Sequence, residues 1–177
     1  MKVIFLDIDG VLQPYDSDNR FYFLDEKLID ELSKKHGIDY HAYNIYDVMA
    51  VCYDWNEQAV ARLKYILEKT AAKIIISSDW RSEKTPDKMS ALLKLHDLDG
   101  YWYADNIINH EFVPNPQRRA LEIKDSLERY PISNFVILDD MRGLDEYYPE
   151  NTVKTHNYLG VNDMEQCIKI LNRKLDK

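Results

Sequence analysis

Acidic side chains occur in two pairs, and each pair follows an apolar run. Asp7 and Asp9 follow the run VIFL, and Asp139 and Asp140 follow the run FVIL. Short apolar runs of this kind predict strands that are buried on both faces of a sheet. A carboxylate at the end of a buried strand is costly unless a cation or hydrogen-bond donors compensate its charge. The two pairs therefore predict a site for a divalent cation.

Hydroxyl and cationic side chains follow a third apolar run, in the string AKIIISSDWR. Ser77 and Ser78 come directly after the apolar residues, and Trp80 and Arg81 follow them. If the three runs are parallel strands of one sheet, their carboxyl ends open at a single edge, where open α/β sheets bind ligands. Magnesium prefers oxygen ligands and is commonly held by one or two carboxylates together with a substrate phosphate. The sequence thus predicts Mg²⁺ with a phosphate group beside it.

The elements that would position these residues alternate between strands and helices. Apolar residues at helical spacing predict five helices, one of them with Asn56 as its N-cap. The predicted helices cover about 24–37, 56–67, 86–95, 117–129 and a last helix capped by Asn162, and further strands are predicted at 100–103 and 152–156. Such alternation predicts an α/β fold of three layers, in which helices cover both faces of a mainly parallel five-stranded sheet.

The first crossover contains an insertion. Asp9 and Ser77 are separated by far more residues than one crossover helix requires. Within this segment, residues 38–54 are rich in Tyr and show no clear period, so the sequence assigns them no element. The insertion is expected at about residues 13–53.

The strings FLDIDGV, SSDWR and NFVILDD occur in this order. In this respect the chain resembles the haloacid dehalogenase (HAD) superfamily of phosphohydrolases, from Val3 to about His156. Within that superfamily, SSDWR and ILDD, with RRALEI between them, resemble the HAD-like domain associated with Swiss Army Knife RNA-repair proteins. The resemblance implies a Rossmann-like fold, a small cap at about 13–53, bound Mg²⁺ and hydrolysis of a phosphomonoester.

The first acidic pair suits covalent phosphate chemistry. Asp7 is expected to attack phosphorus and form an aspartyl phosphate. Asp9, two residues later, is expected to protonate the leaving oxygen and then to take a proton from the attacking water. The resemblance gives the same roles and makes Asp7 and the Asp9 backbone carbonyl metal ligands. Asp139 is then a direct metal ligand, and Asp140 either binds the ion through water or holds a basic residue.

The groups expected to bind the phosphate are hydroxyls and a cation. Ser77 is predicted to donate to a phosphoryl oxygen, with Ser78 as its rival, because sequence alone fixes the strand end only to within about 2–4 residues. Arg81 is a further candidate for substrate binding because it follows the serines closely. Trp80 is more often a core residue than a substrate contact.

The resemblance also requires a cation between the second and fourth motifs, where the superfamily usually has Lys. The candidates are Arg118, Arg119 and Lys124, all in the helix that precedes the last acidic pair. We favour Arg119 because it lies in the string RRALEI and near a helix amino terminus, where anions bind. A guanidinium would bind phosphate in a bidentate manner.

Composition and charge limit the partners. The 177 residues are 45% hydrophobic and 31% charged, which predicts one globular domain over 1–177. A net charge of −8 argues against broad binding to duplex nucleic acid, which needs a basic face. It is compatible with a single phosphate at a metal site, either on a small molecule or at a nucleic-acid terminus.

Cysteine use and hydropathy indicate the compartment. Cys52 and Cys167 are far apart and belong to no disulfide framework or zinc pattern. The amino terminus reaches Asp7 too soon for a signal peptide, and no run has membrane-spanning length. We therefore expect a cytoplasmic protein without membrane partners.

Two classes of function remain from the sequence. The first is a magnesium-dependent phosphatase, acting on a metabolite or on a nucleic-acid terminal phosphate. The second is a non-catalytic binding or regulatory domain with the same fold, against which the presence of all four carboxylates argues. Dehalogenation ranks low because it would not need so many metal-binding acids.

Overall fold

A computed structural model describes residues 1–81, 84–105, 113 and 115–173. Within this part of the chain, five strands form one sheet in which all neighbouring pairs are parallel. The sheet order is β3-β2-β1-β4-β5. The strands are β1 (Lys2–Leu6), β2 (Lys73–Ile76), β3 (Trp102–Asp105), β4 (Asn134–Asp139) and β5 (Thr152–Lys154). The predicted parallel five-stranded sheet is confirmed.

The register of the central strands aligns the ends of the three apolar runs. Leu6 is paired with Ile76 on one side and with Leu138 on the other. The pairing continues past Leu6, since the Asp7 amide donates to the Leu138 carbonyl (3.0 Å) and the Ser77 amide donates to the Leu6 carbonyl (2.9 Å). Asp7, Ser77 and Asp139 therefore lie next to one another at the same edge of the sheet.

Helices cover both faces of the sheet. They are α1 (Glu26–His36), α2 (Ile45–Tyr53), α3 (Glu57–Thr70), α4 (Pro86–Lys94), α5 (Gln117–Arg129) and α6 (Val161–Leu171). Alternate residues of a strand point to opposite faces. Ile4 and Leu6 accordingly lie in the core shared with α3 and α6, whereas Val3 and Phe5 pack with Ala120 and Ile123 of α5. The three-layer, Rossmann-like prediction is confirmed.

Helix ends follow the local sequence, with one correction. Asn56 caps α3 as predicted, because its side chain accepts a hydrogen bond from the Ala59 amide (3.0 Å). The prediction that Asn162 caps the last helix is wrong. Here α6 starts two residues earlier, at Val161 after the N-cap Gly160, whose amide donates to the carboxylate of Asp163 (2.8 Å). An acidic side chain in the first turn satisfies the free backbone donor in place of an N-cap side chain.

Two strand bounds also differ from prediction. Residues Asp99–Tyr101 form a 3₁₀ turn, so β3 starts at Trp102 and runs to Asp105. The edge strand β5 ends at Lys154, two residues short of the expected end.

No helix in the described ranges has both the length and the apolar character needed to cross a membrane.

The insertion between β1 and α3 shares the core of the sheet. It contains α1, α2 and two 3₁₀ turns, Asn19–Phe21 and Tyr40–Ala42. Val48 and Met49 of α2 are fully buried in the larger apolar cluster. The Tyr40 hydroxyl donates to the Ala91 carbonyl of α4 (2.9 Å), which fastens the insertion to that helix. The aperiodic stretch therefore folds by tertiary packing, and the cap function of 13–53 stays a prediction.

Candidate active site

Three carboxylates meet at the edge of the sheet. Oxygen atoms of Asp7, Asp139 and Asp140 all lie within 4.8 Å of one another. Asp7 and Asp139 are buried at the ends of β1 and β4, and Asp140 follows half-buried. Burial and the charge of Asp7 raise the pKa of Asp139 and of Asp140 to about 6. Crowded, desolvated oxygen donors of this kind fit a hard divalent cation such as Mg²⁺.

Arg119 supplies positive charge inside this cluster. Its Nη1 lies 2.7 Å from Oδ2 of Asp139 and 3.6 Å from Oδ1 of Asp7, and its side chain is only 2% exposed. Burial alone would lower the pKa of Arg119, but the charges of Asp139 and Asp7 outweigh it and raise that pKa. Of the three cations that the sequence offered, Arg119 is the one that the structure brings to the carboxylates.

Arg118 and Lys124 have other partners. Nη2 of Arg118 contacts both carboxylate oxygens of Asp79, at 2.9 and 3.1 Å. Asp79 also lies 3.6 Å from Nη2 of Arg119, so it links the two arginines. The Lys124 side chain is 62% exposed and lies 3.8 Å from Glu128, so the structure does not bring this phosphate-binding candidate to the carboxylates.

Asp9 is held by two neutral donors. Gln13 Nε2 donates to Oδ1 and the Trp80 indole Nε1 donates to Oδ2, both at 3.0 Å. Burial by the surrounding chain and the negative charge of Asp7 raise the pKa of Asp9. Its carboxylate is not part of the Asp7 cluster, so the geometry supports an acid–base role better than metal binding through this side chain. A raised pKa favours the protonated form that a general acid requires.

The turn at Gly10 brings the insertion to the site. Gly10 has φ +72°, and a Cβ there would stand 2.6 Å from the Tyr15 hydroxyl and 2.7 Å from Cγ of Asp140. The hydroxyl of Thr155, the residue after β5, donates to the Gly10 carbonyl (2.7 Å) and fixes the turn. Glycine is therefore required for both its left-handed conformation and the close approach of its neighbours.

The hydroxyl groups of Ser77 and Ser78 differ in their hydrogen bonds. Ser77 is 5% exposed, and its hydroxyl has no hydrogen-bond partner within the described residues. The Ser78 hydroxyl instead accepts a hydrogen bond from the Trp80 amide (3.3 Å). A buried hydroxyl without a partner is costly unless a ligand satisfies it. This observation favours Ser77 over Ser78 as the phosphate donor.

Arg81 is bonded to the backbone of the two serines. The side chain is buried, and Nη1 donates to the Ser78 carbonyl (3.0 Å) and to the Ser77 carbonyl. Nη2 pairs with the buried carboxylate of Glu122 on α5. These contacts direct the Arg81 guanidinium to the backbone and to Glu122 rather than to the carboxylate cluster, and substrate binding by Arg81 stays a prediction.

Sequence reasoning missed three residues at the site. Trp80 was treated as a core residue, and neither Asp79 nor Glu122 was considered. Asp79 and Trp80 stand inside the string SSDWR, directly after the serines, and this position was the available signal. Glu122 has a weaker signal, its spacing of three residues from Arg119 on one helix face.

Comparison with known proteins gives one result. The model of the family described as "HAD domain in Swiss Army Knife RNA repair proteins" matches residues 3–165. Neither a curated protein nor a solved structure matches the chain. The matched range includes Asp7, Ser77 and Asp139 at their strand ends and Arg119 of α5. With this match over most of its length, the chain belongs to the family of HAD domains in Swiss Army Knife RNA repair proteins.

Proposed function

We propose that this protein is a magnesium-dependent phosphatase that hydrolyses a phosphomonoester through an aspartyl phosphate on Asp7. The observation that carries the proposal is the cluster of Asp7, Asp139 and Asp140, with Arg119 2.7 Å from Asp139. The cluster combines a nucleophile, candidate metal ligands and a buried cation at one sheet edge. Membership of a HAD family favours hydrolase chemistry over a purely structural use of these residues.

The residues that would hold Mg²⁺ are Asp7, Asp139 and Asp140, with the Asp9 backbone carbonyl as a further ligand. The ion, when bound, supplies positive charge that offsets the charge of the phosphoryl oxygens and orients the phosphate. The donor set is entirely oxygen, as Mg²⁺ prefers. The choice of Mg²⁺ as the metal is part of the proposal, and the carboxylate oxygens favour it.

The covalent step uses the first acidic pair. A carboxylate oxygen of Asp7 attacks phosphorus, and the bond between phosphorus and the leaving oxygen breaks as Asp9 gives that oxygen its proton. Water then attacks the same phosphorus and transfers a proton to Asp9, and the bond to Asp7 breaks. Inorganic phosphate leaves, and both carboxyl groups return to their starting forms. The raised pKa of Asp9 supports its part as the acid.

Two further groups would bind the phosphoryl oxygens. The Ser77 hydroxyl is free to donate among the described residues. The Arg119 guanidinium would offset the charge that develops on the oxygens in the transition state. We do not assign this role to Arg81 or Lys124.

The substrate is proposed to be a phosphorylated small molecule or a nucleic-acid terminal phosphate. The net charge of −8 opposes broad contact with a polyanion but permits contact with one phosphate. The family's description refers to RNA repair, which favours an RNA end as the second candidate. A cytoplasmic location is part of the same proposal.

The test is a phosphatase assay with Mg²⁺ on nucleotides, sugar phosphates and oligonucleotides that carry a 3′- or 5′-phosphate. We expect turnover that EDTA abolishes and Mg²⁺ restores, and that is lost in Asp7→Asn. Asp145→Asn, a change at an exposed acid outside the carboxylate cluster, is the matched control and should keep activity. Borohydride reduction during turnover should convert residue 7 to homoserine. Full activity of folded Asp7→Asn would overturn the proposal.

A further inference from the structure

An exposed aromatic surface lies on the insertion. Phe21, Tyr22 and Phe23 are 61%, 74% and 52% exposed, and Tyr46 and Tyr53 of α2 are 43% and 36% exposed. We call these five residues the aromatic surface. Single exposed apolar residues are common on proteins, but a contiguous group of large ones usually marks a binding site.

The aromatic surface is held in a fixed arrangement. The ring of Phe21 packs against Tyr46 with a centroid distance of 5.6 Å, and that of Phe23 packs against Tyr53 at 5.4 Å. Asn19 Nδ2 also donates to the Tyr53 carbonyl (3.2 Å). These contacts fasten the segment around residues 19–23 to α2, so its exposed rings are preorganised for a ligand.

A continuous set of contacts connects the aromatic surface to Asp9. The Trp80 indole donates to Asp9 at 3.0 Å, and its ring lies 5.9 Å from that of Trp55. Asp54, the residue before Trp55, is buried and pairs with Nε of Arg20 at 2.7 Å. The Arg20 guanidinium in turn lies 5.6 Å from the ring centre of Phe21.

On the other side, the Tyr15 hydroxyl adjoins Gly10, as described above. Tyr15, six residues before Phe21 in the chain, thus lies at the rim of the carboxylate cluster, next to Asp140.

The chemistry of the surface indicates the kind of leaving group. Aromatic rings and the Arg20 guanidinium bind flat π systems by stacking. Asp16, Asp18 and Asp25 flank the same segment and would repel additional phosphates. A neutral base attached to a single phosphate satisfies both conditions, whereas a polyanion does not.

We propose that the aromatic surface stacks on the base of a nucleoside monophosphate whose phosphate is bound at the Asp7 cluster. This inference rests on the proposed function and specifies its substrate class. It makes Tyr22, the most exposed member, and Phe23, which packs against Tyr53, determinants of specificity rather than of the chemical step.

The experiment compares kcat/KM for adenosine monophosphates, with the phosphate at 3′ or 5′, and for ribose 5-phosphate, which lacks the base. We expect the wild type to prefer a nucleotide, and Tyr22→Ala or Phe23→Ala to reduce that preference about tenfold. Tyr65→Ala, which removes an exposed ring on α3, is the matched control and should keep the preference. Equal losses for both substrates, or none, would overturn the inference.

Binding separates this inference from the proposed function. Titration calorimetry measures the affinity of each protein for adenosine monophosphate with Mg²⁺ present. Turnover of both substrates without preference for the base would refute the inference and leave the phosphatase intact. Base-dependent binding without turnover would support the surface and refute the phosphatase.

A second copy of the chain is the rival occupant of the aromatic surface. Analytical ultracentrifugation of the wild type and Phe23→Ala tests this directly. A wild-type dimer that dissociates in Phe23→Ala would overturn the inference in favour of self-association. A monomer in both cases, together with the lost preference, would support base binding.

Discussion

Nη1 of Arg119 lies 2.7 Å from Oδ2 of Asp139, and both side chains are almost completely shielded from solvent. The same nitrogen is 3.6 Å from Asp7. Buried ion pairs add little net stability compared with apolar packing, but loss of one partner leaves the other charge uncompensated. The pair therefore places a fixed positive charge beside Asp7, the proposed nucleophile, at a cost in desolvation.

The first prediction concerns this charge. Arg119→Gln should abolish phosphatase activity and, with EDTA present, lower the free energy of unfolding by about 3–5 kcal/mol, because Asp139 and Asp7 lose their buried cation. Urea unfolding measures the change. Arg118→Gln is the control: it breaks a pair with the half-exposed Asp79 and should cost no more than about 1 kcal/mol. Equal stability of Arg119→Gln and the wild type would contradict the prediction.

Helical periodicity explains why Arg119 is buried and Lys124 is exposed. In α5 the buried residues include Arg119, Ala120, Ile123 and Ser126, which recur at the spacing of one helix face. Lys124 is rotated away from that face and reaches solvent. This burial agrees with the preference for Arg119, which rests on the string RRALEI and on its place near the helix amino terminus; the phosphate-binding role of Arg119 stays a prediction.

The strand ends were equally predictable, because apolar runs and parallel pairing fix which side chains share an edge. The side-chain directions of residues between the elements could not be predicted in this way. Trp80 and Arg81 are neighbours in a 3₁₀ turn, yet one donates to Asp9 and the other is buried against Glu122. Their directions depend on turn geometry and on residues distant in sequence, which periodicity does not encode.

The second prediction separates the two serines. Ser77→Ala should reduce kcat/KM by about 10- to 100-fold, the loss of one hydrogen bond to a charged group, with little loss of stability because the hydroxyl has no partner among the described residues. Ser78→Ala removes only a hydroxyl that accepts from the Trp80 amide, so its effect on kcat/KM should be smaller. Steady-state kinetics with both variants measures the difference, and a larger loss for Ser78→Ala would reverse the assignment.

The third prediction concerns the donor to Asp9. Trp80→Phe keeps an aromatic ring against Trp55 but removes the indole N–H that holds the Asp9 carboxylate. We expect kcat to fall by about tenfold, because a single hydrogen bond no longer orients the acid, while KM changes little. Trp55→Phe is the control for loss of an indole in the same ring pair. A rise in KM with constant kcat would show that Trp80 binds substrate instead.

The fourth prediction is a pH dependence of stability. Burial lowers the pKa of His96 below 6.5; its Nε2 lies 2.8 Å from the Val51 carbonyl. At His96 the unfolded chain therefore binds more protons between the folded and unfolded pKa values, so this residue's contribution to the free energy of unfolding should fall as pH drops below about 6.5. Asp139 and Asp140, whose pKa is raised to about 6, act in the opposite direction, so the stability of the wild type relative to His96→Gln should decrease over this range. Urea unfolding at several pH values measures both, and identical profiles would exclude His96 as the source.

The last prediction separates positioning from stability at the buried pair of Arg81 and Glu122. Glu122→Gln leaves the Arg81 guanidinium without its counter-charge and should cost about 3–5 kcal/mol of unfolding free energy. The double variant Arg81→Met, Glu122→Leu replaces both charges by apolar groups and should recover most of that loss.

Activity should not recover in the double variant, because Arg81 also holds the Ser77 and Ser78 carbonyls and Glu122 lies 4.0 Å from Nε of Arg119. Urea unfolding and steady-state kinetics are measured on the wild type, Glu122→Gln and the double variant. A positioning role predicts a stable protein with a raised KM, since Ser77 and Arg119 lose their support. Recovery of both stability and kcat/KM in the double variant would instead mean that the pair contributes only to folding.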